Sequence, residues 1–444
     1  MVFSQASVRT RMEISSKRVT VFGLGRFGGG IAVSRWLVGQ GALVRVVDKE
    51  PAEKLAESVK KLSGLPIDFR LGDSKPEDLI DSDLVVASPA VPPHNPLLAA
   101  TREAGVPITT EIRLFIERCT ATILAVTGTK GKSTTTAMLG AILQKRFKTF
   151  VGGNIGGSLL EQLDQIGKTD LVALELSSFM LDHLAADKWS PHIGIVTMLG
   201  ADHLDWHGLR EAYVEAKKNL LRFQRPDDYA VLNETDPGSA SLASFAPGHV
   251  IFYGLEKSKL FNLRLPGKHN QINAQGAFAA AQIVGLSWDE AQEALADFRG
   301  LPHRLELVHE ANGVHWYNDS IATIPEAAVA ALESFPPKKV LQIIGGKDKG
   351  LPAAAMCAAL IERAKAVLCI GATGVMLAET LQKHRSQSGA EVYACGDLPT
   401  AVGLARRIAV SGDIVLLSPG YPSYDQFVNF EARGEMFSEL ARAC

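Results

Sequence analysis

The chain is 444 residues long, 46% hydrophobic and 21% charged; this is too long for one ordinary core, and at about 150 residues per domain it predicts three. Lys and Arg (46) nearly balance Asp and Glu (48), so no global field favours nucleic acid or an anionic membrane, and an anionic ligand must be held by local groups. Five cysteines, Cys119, Cys357, Cys369, Cys395 and Cys444, show no C-x-x-C spacing; with no apolar N-terminal leader and no run of about 18 apolar residues, a cytoplasmic protein with reduced thiols is expected.

Arg18 to Phe22 reads as a short strand running into Gly23-Leu24-Gly25-Arg26-Phe27-Gly28. A helix over 29–39 and a strand from Leu43 to Val47 follow, closing on Asp48, 20 positions after the third glycine. This is a βαβ unit of the dinucleotide type, with glycines that let the backbone approach a diphosphate and an acid that can accept from a ribose hydroxyl or a base edge. Nicotinamide and uridine-diphosphate binding use the same parts, and a tight turn without a ligand has the same pattern. Leu84 to Ala87 forms a further strand, followed by the proline-rich loop Ser88 to Pro96 and a helix over 111–118. The first domain boundary falls near Thr109.

An apolar run from Ile123 to Val126 then meets Thr127-Gly128-Thr129-Lys130-Gly131-Lys132-Ser133-Thr134, with helical spacing from Thr134 to Leu143. Strand, glycine loop and helix make a triphosphate cradle in which Lys132 reaches the outer phosphates and Ser133 faces Mg²⁺. Val126 stands where the full Walker pattern has glycine, so the loop is a shorter variant. Phe150 to Gly157 predicts a glycine turn presenting Asn154. The strand Asp170 to Leu174 ends on Glu175, a carboxylate able to bind Mg²⁺ directly or through water. After the strand Ile193 to Met198, His203 and His207 are four apart without the Glu of H-E-x-x-H. Oxygen-rich surroundings favour Mg²⁺ or Mn²⁺ over zinc, so His203 reads as metal-proximal and His207 as structural. Lys217, on an amphipathic helix with Tyr213, Leu220 and Leu221, has by pattern alone the look of a snorkelling surface lysine. Asn270 and Asn273 lie one turn apart at the start of a small-residue helix over 274–284, where both amides can face a base or phosphate.

From about Gly300, strands Val314 to Tyr317, Val340 to Ile344, Ala366 to Ile370 and Ile414 to Leu417 alternate with helices over 325–334 and 353–364 and from Leu398. That alternation predicts a second doubly wound parallel sheet, with its polar loops at the strand ends where ligands sit. The fold class expected is α/β with three domains: a Rossmann-like N-terminal domain (1–108), a central P-loop ATPase-like parallel sheet (109–299) and a C-terminal Rossmann-like domain (300–444).

Ten motifs in order, Gly-Thr-Lys-Gly-Lys-Ser-Thr, Gly-Gly-Asn-Ile-Gly, Glu-Leu-Ser-Ser-Phe, Asp-His-Leu-Asp-Trp-His-Gly, Tyr-Val-Glu-Ala-Lys, Lys-His-Asn-Gln-Ile-Asn, Leu-Pro-His-Arg-Leu-Glu, Asn-Asp-Ser, Gly-Gly-Lys-Asp-Lys-Gly and Ser-Tyr-Asp-Gln-Phe-Val-Asn-Phe-Glu-Ala-Arg-Gly, resemble the Mur ligase family of peptidoglycan assembly. The last is most like the branch that adds D-glutamate. The resemblance implies an ATP-dependent amide ligase with an acyl-phosphate intermediate, acting on UDP-N-acetylmuramoyl-L-alanine and glutamate, with ATP and Mg²⁺ as cofactors; a monomer is expected. It implies that Lys132 and Ser133 hold γ-phosphate and Mg²⁺, that Glu175 and His203 bind metal, and that Lys217 becomes carbamylated, a cation turned into a carboxylate-like metal ligand. Asn273, Arg304 and Asp319 match adenine, phosphate and ribose contacts, and closure of the third domain would bring Arg304 over the phosphate loop. Gly25, Arg26, Phe27, Asp48, Lys49 and Ser88 fall nearest the UDP, Asn154 and His203 on the sugar side, and Thr323, Lys349, Ser423, Tyr424 and Phe430 at the amino acid.

The chain departs from the family at Ile321, where a lysine is usual; losing that charge-assisted contact costs roughly 1.5–3 kcal/mol unless Lys347, Lys349 or Arg433 replaces it. L-glutamate or another amino acid is therefore an alternative substrate. A nicotinamide dehydrogenase built on Gly23 to Asp48, and a non-catalytic nucleotide sensor, are the alternatives of other classes.

Overall fold

The apolar runs of the sequence form the central strands of three sheets. The structure, a computed structural model, describes residues 12–25, 29–200, 204–255, 259–384 and 389–443. The first sheet contains β1 (Arg18–Phe22), β2 (Leu43–Asp48), β3 (Ile67–Leu71), β4 (Leu84–Ala87) and β5 (Ile108–Thr109) in the order β3-β2-β1-β4-β5, all parallel. The second contains β6 (Thr122–Thr127), β7 (Thr149–Gly153), β8 (Leu171–Glu175), β9 (Ile193–Val196), β10 (Tyr229–Asn233) and β11 (His249–Tyr253) in the order β11-β10-β9-β6-β8-β7, also all parallel. The third contains β12 (Glu306–Ala311), β13 (Val314–Asn318), β14 (Val340–Gly345), β15 (Ala366–Ile370), β16 (Glu391–Gly396) and β17 (Ile414–Leu417) in the order β12-β13-β17-β14-β15-β16.

The third sheet is mixed, which corrects the expected parallel one: β12 runs antiparallel to β13. The cause is local. Asn312 and Gly313, between paired Ala311 and Val314, have φ of 53° and 72°, the two positive values of a type I′ hairpin turn, which reverses the chain in two residues. Three other expectations shift. The phosphate-loop helix starts at Lys132 rather than Thr134, and the small-residue helix is Lys268–Ile283, six residues earlier than its apolar run. The stretch read as a glycine turn is in its first part the edge strand β7.

Contacts divide the chain into two compact units, Met1–Leu260 with Ile272–Leu295, and Phe261–Gln271 with Ala296–Cys444. In the first unit one apolar cluster runs through both sheets, joining Val21, Leu37 and Val46 to Phe115, Ile123 and Leu174. In the second unit consecutive residues of one strand go to opposite cores: Ile344 and Leu416 to one cluster, Ile343 and Leu417 to the other. That period of two is what helices covering both faces of a sheet require. Among the described residues no helix is long and apolar enough to cross a membrane.

Within the first unit the two sheets are stapled by Arg113, on the helix Glu111–Arg118. Its Nε and Nη2 donate to Asp187 Oδ2 and Oδ1 at 2.6 and 2.8 Å, and Nη1 donates to the Ile108 carbonyl of β5 at 3.0 Å. A bidentate, partly buried pair of this kind holds geometry as well as charge. Arg113→Ala should cost about 1–3 kcal/mol, leaving Asp187 and the Ile108 carbonyl without these donors; a lowered urea midpoint at unchanged slope is the expected outcome.

Candidate functional site

The phosphate loop leaves β6, the strand at the middle of the second sheet, whose six residues are all buried. Two glycines make it possible. Gly128 has φ +150°, and a Cβ there would lie 1.9 Å from Thr197 Oγ1. Gly131, the N-cap of the helix Lys132–Leu143, has φ +86°, and its Cβ would lie 2.5 Å from Asn273 Oδ1. Thr197 supports the loop from beneath by donating its hydroxyl to Lys130 O at 2.6 Å, while Thr129 N donates to Met198 O at 2.7 Å. Asn273, on the helix Lys268–Ile283, accepts from Thr135 Oγ1 at 3.3 Å, so in this state its amide packs against the loop. Thr134 is buried, whereas Ser133 and Lys132 are half-buried and Lys130 is exposed. Lys132 Nζ donates to Thr129 O at 3.1 Å. The result is a concave backbone turn at a helix N-terminus with a lysine folded over it, an arrangement suited to a polyphosphate.

Lys217 corrects the surface reading of its pattern. It is 1% exposed, on the helix Arg210–Arg222, and its Nζ donates to Gly128 O at 2.7 Å and to Thr127 Oγ1 at 3.3 Å. The helix therefore carries its lysine beneath the phosphate loop. Glu175, the last residue of β8, is fully buried. Its Oε1 accepts from Asn154 Nδ2 at 2.8 Å, and its Oε2 has no hydrogen-bond partner among the described residues. A buried carboxylate oxygen left in that condition is costly unless a cation or donor meets it. Gly153 permits the approach that pairs Asn154 with Glu175: with φ +97°, a Cβ there would lie 2.3 Å from Glu175 O. Among the described residues no group of three or more His, Cys, Asp or Glu side chains is placed to hold a metal. One carboxylate beside a phosphate cradle fits Mg²⁺, which commonly keeps water and substrate phosphates as its other ligands. His207 Nε2 lies 2.9 Å from Ser178 Oγ, and its ring stacks on Phe179. His203 lies outside the described residues.

At the C-terminal ends of β1, β2 and β4 the structure brings together Gly25, Asp48 and Ser88. Asp48 is buried; its Oδ2 accepts from Gly25 N at 3.1 Å and its Oδ1 from Glu50 N at 2.9 Å. Both carboxylate oxygens thus shape the loop. Lys49 is exposed, and Ser88 Oγ accepts from Ala90 N at 3.4 Å. Arg26 and Phe27 lie outside the described residues.

In the second unit the strand-end loops surround Asp319. Its Oδ2 accepts from Ser418 Oγ at 2.7 Å and its Oδ1 from Leu305 N at 3.1 Å. Burial pushes its carboxyl up to about 7, against the lowering effects of these bonds and of the Arg304 guanidinium. Arg304 sits between His303 (φ +61°) and Leu305 (φ +44°), an uncommon pair of left-handed conformations for side chains of this size. Arg433 is 1% exposed, and its Nε, Nη2 and Nη1 donate to Ser320 Oγ, Ser320 O and Tyr421 O at 2.9, 2.9 and 3.0 Å. Ser320 Oγ in turn donates to Phe430 O at 2.8 Å. Thr323 and Phe430 are half-buried, Ser423 is buried, and Lys347, Lys349 and Tyr424 are exposed. Thr197 carries no motif; its place directly after a central strand is the signal that marks it.

The Asp319 carboxyl binds its proton more tightly folded than unfolded. Its contribution to stability is therefore complete below about pH 4 and is lost as pH rises through about 7. Asp319→Asn, which can accept from Leu305 N through Oδ1 and donate from Nδ2 to Ser418 Oγ, should remove this slope. The urea midpoint of the variant should rise relative to wild type between pH 4 and pH 7, and a constant difference across that range would contradict the burial of the charge.

Comparison with known proteins agrees along the chain. Residues 17–110 match the model of the Mur ligase MurD-like N-terminal domain, residues 126–262 the Mur ligase middle domain, and residues 303–420 the Mur ligase glutamate ligase domain. A protein of Roseiflexus sp. (strain RS-1) named UDP-N-acetylmuramoylalanine--D-glutamate ligase is 40% identical over 468 residues, covering 97% of this chain and 100% of the relative. One of the same name from Symbiobacterium thermophilum is 38% identical over 454 residues, covering 96% and 98%. The solved structure of UDP-N-acetylmuramate-alanine ligase from Thermotoga maritima has the same fold, with a TM-score of 0.62 at 23% identity over 96% of this chain and 99% of that one. On these matches, three family models in order and relatives similar over nearly the whole length, the chain belongs to the Mur ligase family.

Proposed function

We propose that the chain is an ATP-dependent ligase that joins the amino group of D-glutamate to the carboxyl of UDP-N-acetylmuramoyl-L-alanine. The observation that carries this reading is the buried Glu175 carboxylate, with one oxygen held by Asn154 and the other without a partner among the described residues, in the unit that also carries the glycine phosphate loop. The names of the relatives support the substrate, and the three model matches support reading 1–108, 109–299 and 300–444 as UDP-, ATP- and amino-acid-binding segments. The site of action is the cytoplasm, where nucleotide-linked substrates of this kind are made.

A carboxylate oxygen of the substrate attacks the γ-phosphorus; the bond to the β–γ bridging oxygen breaks, giving an acyl phosphate and ADP. The glutamate nitrogen then attacks the acyl carbon, loses a proton, and inorganic phosphate leaves. Gly128, Thr129, Lys130, Gly131 and Thr134 hold the phosphates through the loop, with Lys132 swinging from Thr129 O to the transferring group. Ser133, Glu175, His203 and a carbamylated Lys217 would hold Mg²⁺, which would neutralise phosphate charge. Asn273, Arg304 and Asp319 bind the nucleotide. Gly25, Arg26, Phe27, Asp48, Lys49 and Ser88 take the UDP, and Asn154 the sugar side.

Thr323, Lys349, Ser423, Tyr424 and Phe430 take the amino acid. Ile321 removes the usual lysine from this set. Arg433 does not replace it, because its guanidinium is buried against Ser320 and Tyr421. Lys349, exposed on the loop after β14, is the cation assigned to a glutamate carboxylate.

Purified protein with ATP, Mg²⁺ and UDP-N-acetylmuramoyl-L-alanine should release ADP only when D-glutamate is added. Dependence on L-glutamate would mean a pocket re-cut around Ile321, and no turnover with either would sink the reading. Lys217→Ala should lower that turnover by at least about a hundredfold, as loss of a group acting on transition-state charge does, with partial recovery in acetate; an active variant would remove the carbamate role.

A further inference from the structure

Tyr213 belongs to no ligand set, yet it is 1% exposed and one turn before Lys217 on the helix Arg210–Arg222. Its ring centroid lies 4.7 Å from Lys217 Nζ, and its ring meets His207 edge-on at 5.4 Å. Its hydroxyl lies 3.0 Å from Thr129 Oγ1. That same oxygen accepts from Gly200 N at 2.9 Å, and Thr129 N donates to Met198 O. One threonine hydroxyl is therefore where three segments meet: the phosphate loop, the loop that leaves β9 and the helix that carries Lys217.

We infer that Tyr213 is a positioning residue of the nucleotide site, holding Thr129, and through it the phosphate loop, in the conformation that receives the triphosphate. The inference deepens the ATP-binding reading and rests on it for the ligand alone. A loop with glycines at Gly128 and Gly131 has more backbone freedom to lose than any other kind, and whatever order is built in before the ligand arrives need not be supplied by binding. A buried tyrosine hydroxyl seeks a partner, and here the partner is the phosphate-loop side chain next to Gly128. While Lys217 is uncarbamylated the ring adds a second constraint, since its negative face lies beside the Lys217 ammonium and favours keeping that head near Gly128 O.

The test is calorimetric titration of Mg²⁺-ATP into wild type, Tyr213→Phe, Thr129→Val and the double variant, with thermal midpoints of the free proteins measured alongside. Phenylalanine keeps the ring and its packing, so the fold survives and only the hydroxyl link is cut. Tyr213→Phe should raise the Kd by roughly three- to tenfold, the size expected for one hydrogen bond acting through loop order. Because Thr129→Val cuts the same link together with that to Gly200, the double variant should bind no more weakly than Thr129→Val alone. An unchanged Kd with a lowered thermal midpoint would make Tyr213 a packing residue and overturn the inference; so would a double variant whose loss is the product of the single losses. Wild type that binds Mg²⁺-ATP but shows no glutamate-dependent ADP release defeats the ligase reading and leaves this one standing. Wild type that does not bind Mg²⁺-ATP defeats both.

Discussion

In the unmodified protein, a lysine ammonium buried beneath a glycine loop is the constraint on which the first unit depends. Taking a charged head out of water is expensive unless polar groups meet it, and at Lys217 the main-chain carbonyl of Gly128, the Thr127 hydroxyl and the Tyr213 ring do so. Two of the three are on or next to the phosphate loop. The loop cannot shift without unsatisfying the lysine, and the lysine cannot leave without freeing the loop. The same logic explains why the loop follows β6: a strand paired on both sides, with β8 and β9, is the most fixed point from which to hang such a turn.

The second unit solves a similar problem with the opposite partner. Asp319 is a buried acid that meets a hydroxyl and a backbone N–H, and burial raises its carboxyl in spite of these bonds. Around it the cation is spent elsewhere: the Arg433 guanidinium braces the Ser320 and Tyr421 backbone, and Asn318 Nδ2 donates to Gly434 O at 2.9 Å and to Ser438 Oγ at 3.1 Å. The helix Phe430–Arg442 is thus a clamp on the loop that presents Asp319.

How much of this the sequence carries follows from burial. The central strands are legible because both faces are covered, so that every position is buried and nearly all are apolar, as in β6, β8, β9 and β17. The strands that the apolar runs do not mark, β3, β5, β7, β11, β12 and β16, are the six edges of the three sheets. Paired on one side and half-covered, they mix polar with apolar residues, as Ile67-Asp68-Phe69-Arg70-Leu71 does. The antiparallel edge was nonetheless written in Asn312-Gly313, the strongest short hairpin signal there is. At the site, the glycine loop, Glu175 and Asp319 are legible because each ends a strand. Lys217 and Tyr213 are not, since a lysine on an amphipathic helix looks the same whether its head reaches water or a buried carbonyl, and Asp48 looks free until its loop curls back to donate to it.

The strand order of the third sheet has a further consequence, one for synthesis. β17 lies between β13 and β14 and pairs with both, yet it follows them by roughly 100 and 70 residues, which at ribosomal speeds of about 5–20 residues per second is a delay of several seconds. For that interval β13 and β14 each lack the partner that separates them, and a sheet whose middle arrives last has two apolar strands with open sides. The nascent unit should therefore be most vulnerable to aggregation, and most dependent on chaperones, in the seconds before Ile414–Leu417 emerges, however stable the finished sheet becomes.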